Sequence, residues 1–174
     1  AALPKPLYNA QDVTCAGADD GEVRVILGEG LPPFEITWSD NNSTANPRRN
    51  LAQGKYFFSC RDASGCSAID SFEIESPDSL LIDQSGTRST WGGLARGEAF
   101  VTAKGGTEPY KFRWDDENNS KTATISGLLA GDYTVTITDD KDCTVEETLT
   151  VKELPSGLNE ISVADFVYPN PAHK

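Results

Sequence analysis

The sequence has no Met, one His and far fewer cations than anions. The His, His173, lies close to the end of the chain, outside every patterned segment. Ser and Asp are plentiful, but none has a His partner in a folded segment, so no Ser-His-Asp constellation is available. No Cys/His spacing suits zinc. No nucleotide-binding glycine pattern occurs, and Gly105-Gly106 leads into a strand instead of a helix. Lys and Arg number 15 against 27 Asp and Glu, a formal net charge of -12. That balance excludes nucleic acid and anionic membrane surfaces, where basic side chains supply the affinity. It fits a solubilising surface. No apolar run is long enough to span a bilayer. The opening Ala1-Ala2-Leu3-Pro4-Lys5-Pro6 lacks the apolar core of a signal peptide, so such a peptide is expected to have been removed or left out. Carboxylate pairs such as Asp115-Asp116 fall in polar loops. Acid pairs serve glycoside hydrolysis, but nothing in the pattern encloses a cleft. These absences predict a protein that is not an enzyme.

A duplication organises what is present. Lys104-Gly-Gly-Thr-Glu-Pro-Tyr-Lys-Phe-Arg-Trp114 is followed by Gly131-Asp-Tyr-Thr-Val-Thr-Ile-Thr-Asp-Asp-Lys-Asp-Cys143. An earlier copy reads Gly28-Glu-Gly-Leu-Pro-Pro-Phe-Glu-Ile-Thr-Trp38, then Gly54-Lys-Tyr-Phe-Phe-Ser-Cys-Arg-Asp-Ala-Ser-Gly-Cys66. Gly97 and Trp114 follow Gly21 and Trp38 at an offset of 76; after a one-residue insertion, Gly131, Tyr133, Asp139 and Cys143 follow Gly54, Tyr56, Asp62 and Cys66 at 77. Fixed-period self-similarity of this kind identifies tandem modules.

The period within each copy is that of strands. Pro4 and Pro6 precede an edge strand, since Pro is tolerated at sheet edges. Val23, Val25 and Leu27 alternate on one face, as do Phe34, Ile36 and Trp38, then Tyr56, Phe58 and Cys60. Residues 39–50 read as a polar loop. Asp62-Ala-Ser-Gly65 is a hairpin signal. Ala68, Phe72 and Ile74 complete a last strand before Pro77. Short strands between Gly and Pro turns predict a sandwich. The Trp on the third strand and Leu-x-x-Gly-x-Tyr at the start of the sixth are immunoglobulin-like features, and each occurs twice. The expected fold class is all-β: two tandem small Ig-like β-sandwich domains over 1–77 and 78–154. Residues 155–174 are expected to be a linker and tail.

Gly-Gly-Thr-x-Pro-Tyr-x-x-x-Trp, Leu-x-x-Gly-x-Tyr-x-Val-x-(Val/Ile)-x-Asp and a closing Cys resemble the SprB-type repeat. The repeat takes its name from a large cell-surface adhesin of gliding motility. The resemblance runs over about 14–152. The first copy has Glu29-Gly30-Leu31 in place of Gly-Gly-Thr; the second has Trp91 in place of the first Cys and Asp142 in place of a Gly. The tail carries Tyr168-Pro169-Asn170-Pro171, similar to the opening of the sorting domain read by the type IX secretion system, and the resemblance implies that 155–174 are a linker and an incomplete C-terminal sorting-domain segment. The resemblance implies a secreted or outer-membrane-attached bacterial protein. Its partners would be that machinery and neighbouring repeats. Its role would be a stalk or adhesin segment. The alternative is an accessory module of a secreted enzyme whose catalytic domain lies upstream. Such a module would bind surface polysaccharide through exposed aromatics such as Phe57 and Phe100.

Three further site expectations follow. Asp19 and Asp20 in the first turn, with Asp139, Asp140 and Asp142 in the last hairpin, form a candidate calcium site at the domain junction near Glu75 and Asp78, since calcium takes carboxylate oxygens. Solvated turns would use the same residues. Four cysteines allow three full pairings. One has a local bridge between Cys60 and Cys66, which share inward parity on adjacent strands across a hairpin, while an immunoglobulin-like strand order puts Cys15 at the exit end of the first domain, within reach of Cys143 at the entry end of the second. A rival has Cys15–Cys66, with Cys60 a buried thiol in the place of Ile137. Asp78-Ser79-Leu80 resembles a bacterial O-glycan acceptor, with Ser79 the candidate.

Overall fold

The computed structural model describes residues 5–28 and 30–155. Among them every regular element is a strand. They divide into two compact units, Ala1–Leu81 with Ala103–Tyr110 and Thr138–Val145, and Ile82–Thr102 with Lys111–Ile137 and Glu146–Lys174. The first unit therefore takes up two loops of the second sequence copy.

The first copy holds β1 (Leu7–Gln11), β2 (Gly21–Ile26), β3 (Glu35–Trp38), β4 (Arg48–Leu51), β5 (Gly54–Arg61) and β6 (Ser67–Ile74). They form two three-stranded sheets, ordered β1-β2-β4 and β3-β5-β6. First, second and fourth strands against third, fifth and sixth is the immunoglobulin-like arrangement. Alternation places Val23, Val25 and Leu51 from one sheet against Ile36, Trp38, Phe58, Cys60, Phe72 and Ile74 from the other, all buried. Trp38 is at the centre, tilted on Phe58 and edge-on to Phe72. Its Nε1 donates to the Ala45 carbonyl at 2.9 Å, so the buried ring leaves no polar atom unpaired.

The second copy holds β7 (Leu81–Arg88), β8 (Thr90–Trp91), β9 (Gly97–Lys104), β10 (Lys111–Trp114), β11 (Thr124–Leu128), β12 (Gly131–Thr138), β13 (Thr144–Val151) and β14 (Glu153–Leu154). Its sheets run β11-β9-β7 and β10-β12-β13, the same order, with a short parallel pair β14-β8. Ala99, Val101, Trp114, Ile125, Leu128, Val135, Ile137, Leu149 and Val151 are buried.

The copies share hydrogen bonds as well as letters. Trp114 Nε1 donates to the Thr122 carbonyl as Trp38 does to Ala45. Tyr56 Oη donates to the Ala52 carbonyl at 2.9 Å and Tyr133 Oη to that of Leu129 at 3.1 Å, the tyrosine corner that opens β5 and β12. Gly21 and Gly97 sit inside strands for want of space: a Cβ on Gly21 would stand 2.8 Å from the Leu51 carbonyl, and one on Gly97 2.9 Å from that of Leu128.

One sequence expectation fails. The polar loop over 39–50 contains the start of β4, Arg48–Leu51. Only Leu51 offers an apolar inward group there. Arg48 takes the other position because its guanidinium lies 5.2 Å from the Trp38 ring centroid and 5.3 Å from that of Tyr56. Its charge is met by a bidentate pair with Asp40.

Candidate functional site: the aspartate-braced turns and the Cys15–Cys143 bridge

β5 and β12 each enter a closing hairpin through a buried aspartate. In the first copy Asp62 Oδ1 accepts from the Ser64 and Cys66 amides at 3.0 and 2.8 Å, and Oδ2 from the Leu31 amide at 3.1 Å. In the second, Asp139 Oδ1 accepts from the Lys141 and Cys143 amides at 2.8 and 2.9 Å, and Oδ2 from the Thr107 amide at 2.8 Å. The carboxylate supplies what the reversing backbone cannot, a set of acceptors for amides turned inward. It also ties the hairpin to the loop after β2 in one copy and after β9 in the other, where Ala63 and Asp140 amides donate back to the Leu31 and Thr107 carbonyls.

The last turn residue before each cysteine is left-handed, Gly65 at φ 85° and Asp142 at φ 63°. Asp is among the few residues with a side chain that tolerate this conformation, which accounts for Asp142 where the first copy has Gly. Gly105 and Gly106 are also left-handed, at φ 71° and 60°. A Cβ on Gly105 would strike the Ser79 carbonyl, and one on Gly106 would lie 2.6 Å from Asp139 Oδ2. The Gly106 amide donates to the Asp78 carbonyl at 2.8 Å. The Gly-Gly-Thr motif thus lets backbone lie directly on the segment 78–80 and on the aspartate brace.

Cys15 is presented by a turn that Asp20 closes. Its Oδ1 accepts from the Thr14 amide at 2.9 Å and its Oδ2 from the Thr14 hydroxyl, while the Ala18 amide donates to the Cys15 carbonyl at 3.0 Å. Cys15 is disulfide-bonded to Cys143, with Cα atoms 5.7 Å apart and a sequence separation of 128. The bond joins a turn of the first copy to the closing hairpin of the second, as the immunoglobulin-like strand order anticipates.

The local Cys60–Cys66 bridge is absent, and both are free thiols. The register explains this. Cys60 faces Ala68 across β5 and β6, and Arg61 faces Ser67. Cys66 is therefore a diagonal neighbour of Cys60. Diagonal pairs lie about 7–8 Å apart, beyond the usual disulfide reach. Cys60 is fully buried, and burial pushes its thiol up. Cys66 is half-buried.

The five candidate calcium ligands divide by role. Asp20 and Asp139 spend both oxygens on the hydrogen bonds above. Asp19, Asp140 and Asp142 are exposed. Among the described residues no group of three or more His, Cys, Asp or Glu is arranged to hold a metal ion. Glu75 is used through its backbone, its amide donating to Asp12 Oδ1 at 2.8 Å. Ser79 is exposed. Phe57 and Phe100 are 47% and 41% exposed, with Lys55 Nζ 5.4 Å from the Phe57 ring centroid and Gly86 making room for the Phe100 ring. Tyr168, Pro169, Asn170 and Pro171, with His173, lie outside the described residues.

The braces carry a pH signature. Burial pushes the Asp139 carboxyl up, but the Thr107, Cys143 and Lys141 amides outweigh it and hold it below the usual carboxylate range. The Leu31 amide and Ser64 hydroxyl hold Asp62 low, and the Thr14 hydroxyl and amide do so for Asp20. At Asp116 burial is again opposed, and outweighed, by the Ser120 amide and hydroxyl. A carboxyl depressed in the folded state stabilises it fully above the unfolded value, near pH 4, and loses that contribution as pH falls through the folded value. Thermal unfolding should therefore be flat from pH 7 to about 5 and fall steeply below about 4, at roughly 1 M salt to screen general repulsion. Asp139→Asn should lower the melting temperature at pH 7 and flatten the acid slope; an unchanged slope would remove Asp139 from the account.

The geometry defines an immunoglobulin-like module whose buried polar side chains include the braces of its closing hairpins. Residues 7–43 match the SprB repeat family. No curated protein matches the chain. Among solved structures, it is similar to the C-terminal 282-residue fragment of intimin in complex with the intimin-binding domain of the translocated intimin receptor, at 19% identity and TM-score 0.46 over 87% of this chain and 64% of that one. It is also similar to the N-terminal eight Ig domains of Down syndrome cell adhesion molecule, at 10% identity and TM-score 0.42 over 87% of this chain and 25% of that one. A third is the amphioxus IgVJ-C2 molecule, at 14% identity and TM-score 0.35 over 87% and 99%. The chain spans less than two thirds of the intimin fragment it matches. The fold assignment rests on the chain's own strand order and register.

Proposed function

We propose that the chain is a non-catalytic stalk or adhesin segment of a secreted or cell-surface bacterial protein. Two SprB-type repeats, 1–77 and 78–154, precede the start of a sorting domain that the type IX secretion system reads. Its work is mechanical: to space and present other parts of the parent protein in surface adhesion or gliding. The observation that carries the reading is the recurrence of one hydrogen-bond scheme at offsets of 76 and 77, with the SprB match over 7–43 covering the first three strands. Buried aspartates that accept backbone amides are suited to holding turns, and their oxygens are engaged there instead of being open to acid–base work.

Antibodies to the chain, applied to intact cells of the source bacterium, should label the surface. They should fail to do so in cells lacking the type IX secretion system. Equal labelling of both strains would overturn the export route, and a signal seen only after lysis of normal cells would overturn the stalk reading.

A further inference from the structure

Two hairpins in this chain are built alike, yet only one has its cysteine bonded. Asp62 and Asp139 brace them through equivalent acceptors, and the cysteine amide donates to the same carboxylate oxygen in each. The Asp62 and Asp139 amides donate to the Cys66 and Cys143 carbonyls, both at 3.0 Å. Cys143 is bonded to Cys15, whereas Cys66 is a thiol, half-buried at the turn, with the Ser64 hydroxyl 3.2 Å from its sulfur. The cysteine-presenting turn is duplicated too. The Leu94 amide donates to the Trp91 carbonyl at 3.1 Å, as the Ala18 amide does to that of Cys15 at 3.0 Å. There the second copy has an exposed Trp91, 46% accessible. Each copy therefore has an accepting hairpin and a donating turn. The chain uses one of each, leaving a vacant hairpin at Cys66 and a turn without sulfur at Trp91.

We propose that Cys66 is the acceptor for an inter-repeat disulfide from a further copy of the same module, one that carries a Thr-Cys turn like Thr14-Cys15. A lone thiol would not carry this; the sister hairpin does, because there the same residues hold the bond. The inference rests on reading the chain as repeats of an array, and gives that array a direction, turn cysteine to hairpin cysteine.

The chemistry is thiol–disulfide exchange with a small-molecule disulfide as oxidant. The Cys66 thiolate attacks one sulfur of the oxidant, forming a mixed disulfide and releasing one small thiolate. The partner's thiolate then attacks the Cys66 sulfur and releases the second. Two protein thiols lose two electrons and two protons, and the oxidant becomes two thiols. Buried Cys60 lies outside this exchange.

Trp91→Cys restores the missing donor, and the exposed position limits the cost to the fold. In a glutathione redox buffer this variant should give a ladder of disulfide-linked oligomers, and non-reducing peptide mapping should recover position 91 bonded to Cys66. Adding Cys66→Ser should abolish the ladder. Mixing the Trp91→Cys, Cys66→Ser double variant with unmodified chain should give a heterodimer through the same bond. Retention of the Cys15–Cys143 peptide identifies folded chains, and only these are scored. Symmetric dimers through position 91 alone, Cys66–Cys66 dimers, or no cross-link would each overturn the proposal. The outcome is separable from that of surface labelling. Loss of labelling removes the stalk reading and leaves the 91-to-66 bond standing, whereas failure of the bond removes the directed array and leaves localisation untouched.

Discussion

Cys15→Ser or Cys143→Ser should lower stability by about 2–4 kcal/mol, the usual loss for a native bridge. The loop-closure argument sets the upper side. The cysteines are 128 residues apart in sequence, and closing a loop of that order restricts the unfolded chain by nearly 5 kcal/mol. Loss of either partner should also free the Thr14–Gly21 turn, held otherwise by the Asp20 carboxylate and the Ala18 amide. Reductant should reproduce the mutant melting temperature in the unmodified chain and have no further effect on the mutants. A shift under about 1 kcal/mol would mean that the two turns are held together without the bond.

Trp38→Ala should cost about 3–5 kcal/mol, the range for truncating a large buried aromatic. The ring is fully buried, contacts Phe58 and Phe72, and supports the Arg48 guanidinium. Truncation leaves a void between the sheets, an unpaired Ala45 carbonyl, and an Arg48 without the ring it lies on. Against the roughly 5–15 kcal/mol of a typical domain, that removes a large share of the stability of the first copy. Trp114→Ala should act with similar size in the second copy, where the ring is equally buried and donates to Thr122. Denaturant unfolding followed by the remaining Trp residues would separate the two. A change below about 1 kcal/mol at Trp38 would contradict its place at the centre of the core.

The sandwich was legible because its inward positions alternate cleanly. Val23, Val25, Ile36, Trp38 and Phe58 are the residues that a period of two selects, and all are buried. The tyrosine corner followed from Leu-x-x-Gly-x-Tyr, whose glycine and aromatic have fixed jobs at the start of β5 and β12. The bridge from Cys15 to Cys143 was legible through strand order, because that order decides which turns share an end of a sandwich. β4 was hidden by its chemistry: an Arg that packs on aromatic rings looks like a loop residue in any hydropathy pattern. The Cys60–Cys66 error came from parity without register. Both thiols point inward, but facing partners are set by a hairpin whose turn begins at Asp62, and that places Ala68 opposite Cys60. The braces were hidden because an Asp accepting three backbone amides is spelled like a solvated one. The clue was available at Asp62 and Asp139, which recur at 77 while flanking turn residues vary.

Peptide mapping of the isolated 174-residue chain, without reduction, tests most directly whether its repeats are joined through their turns. With no further copy present to bond Cys66, the expected result is one disulfide-linked pair, Cys15 with Cys143, and alkylatable thiols at Cys66 and, after denaturation, Cys60. A Cys15–Cys66 or Cys60–Cys66 peptide would contradict it.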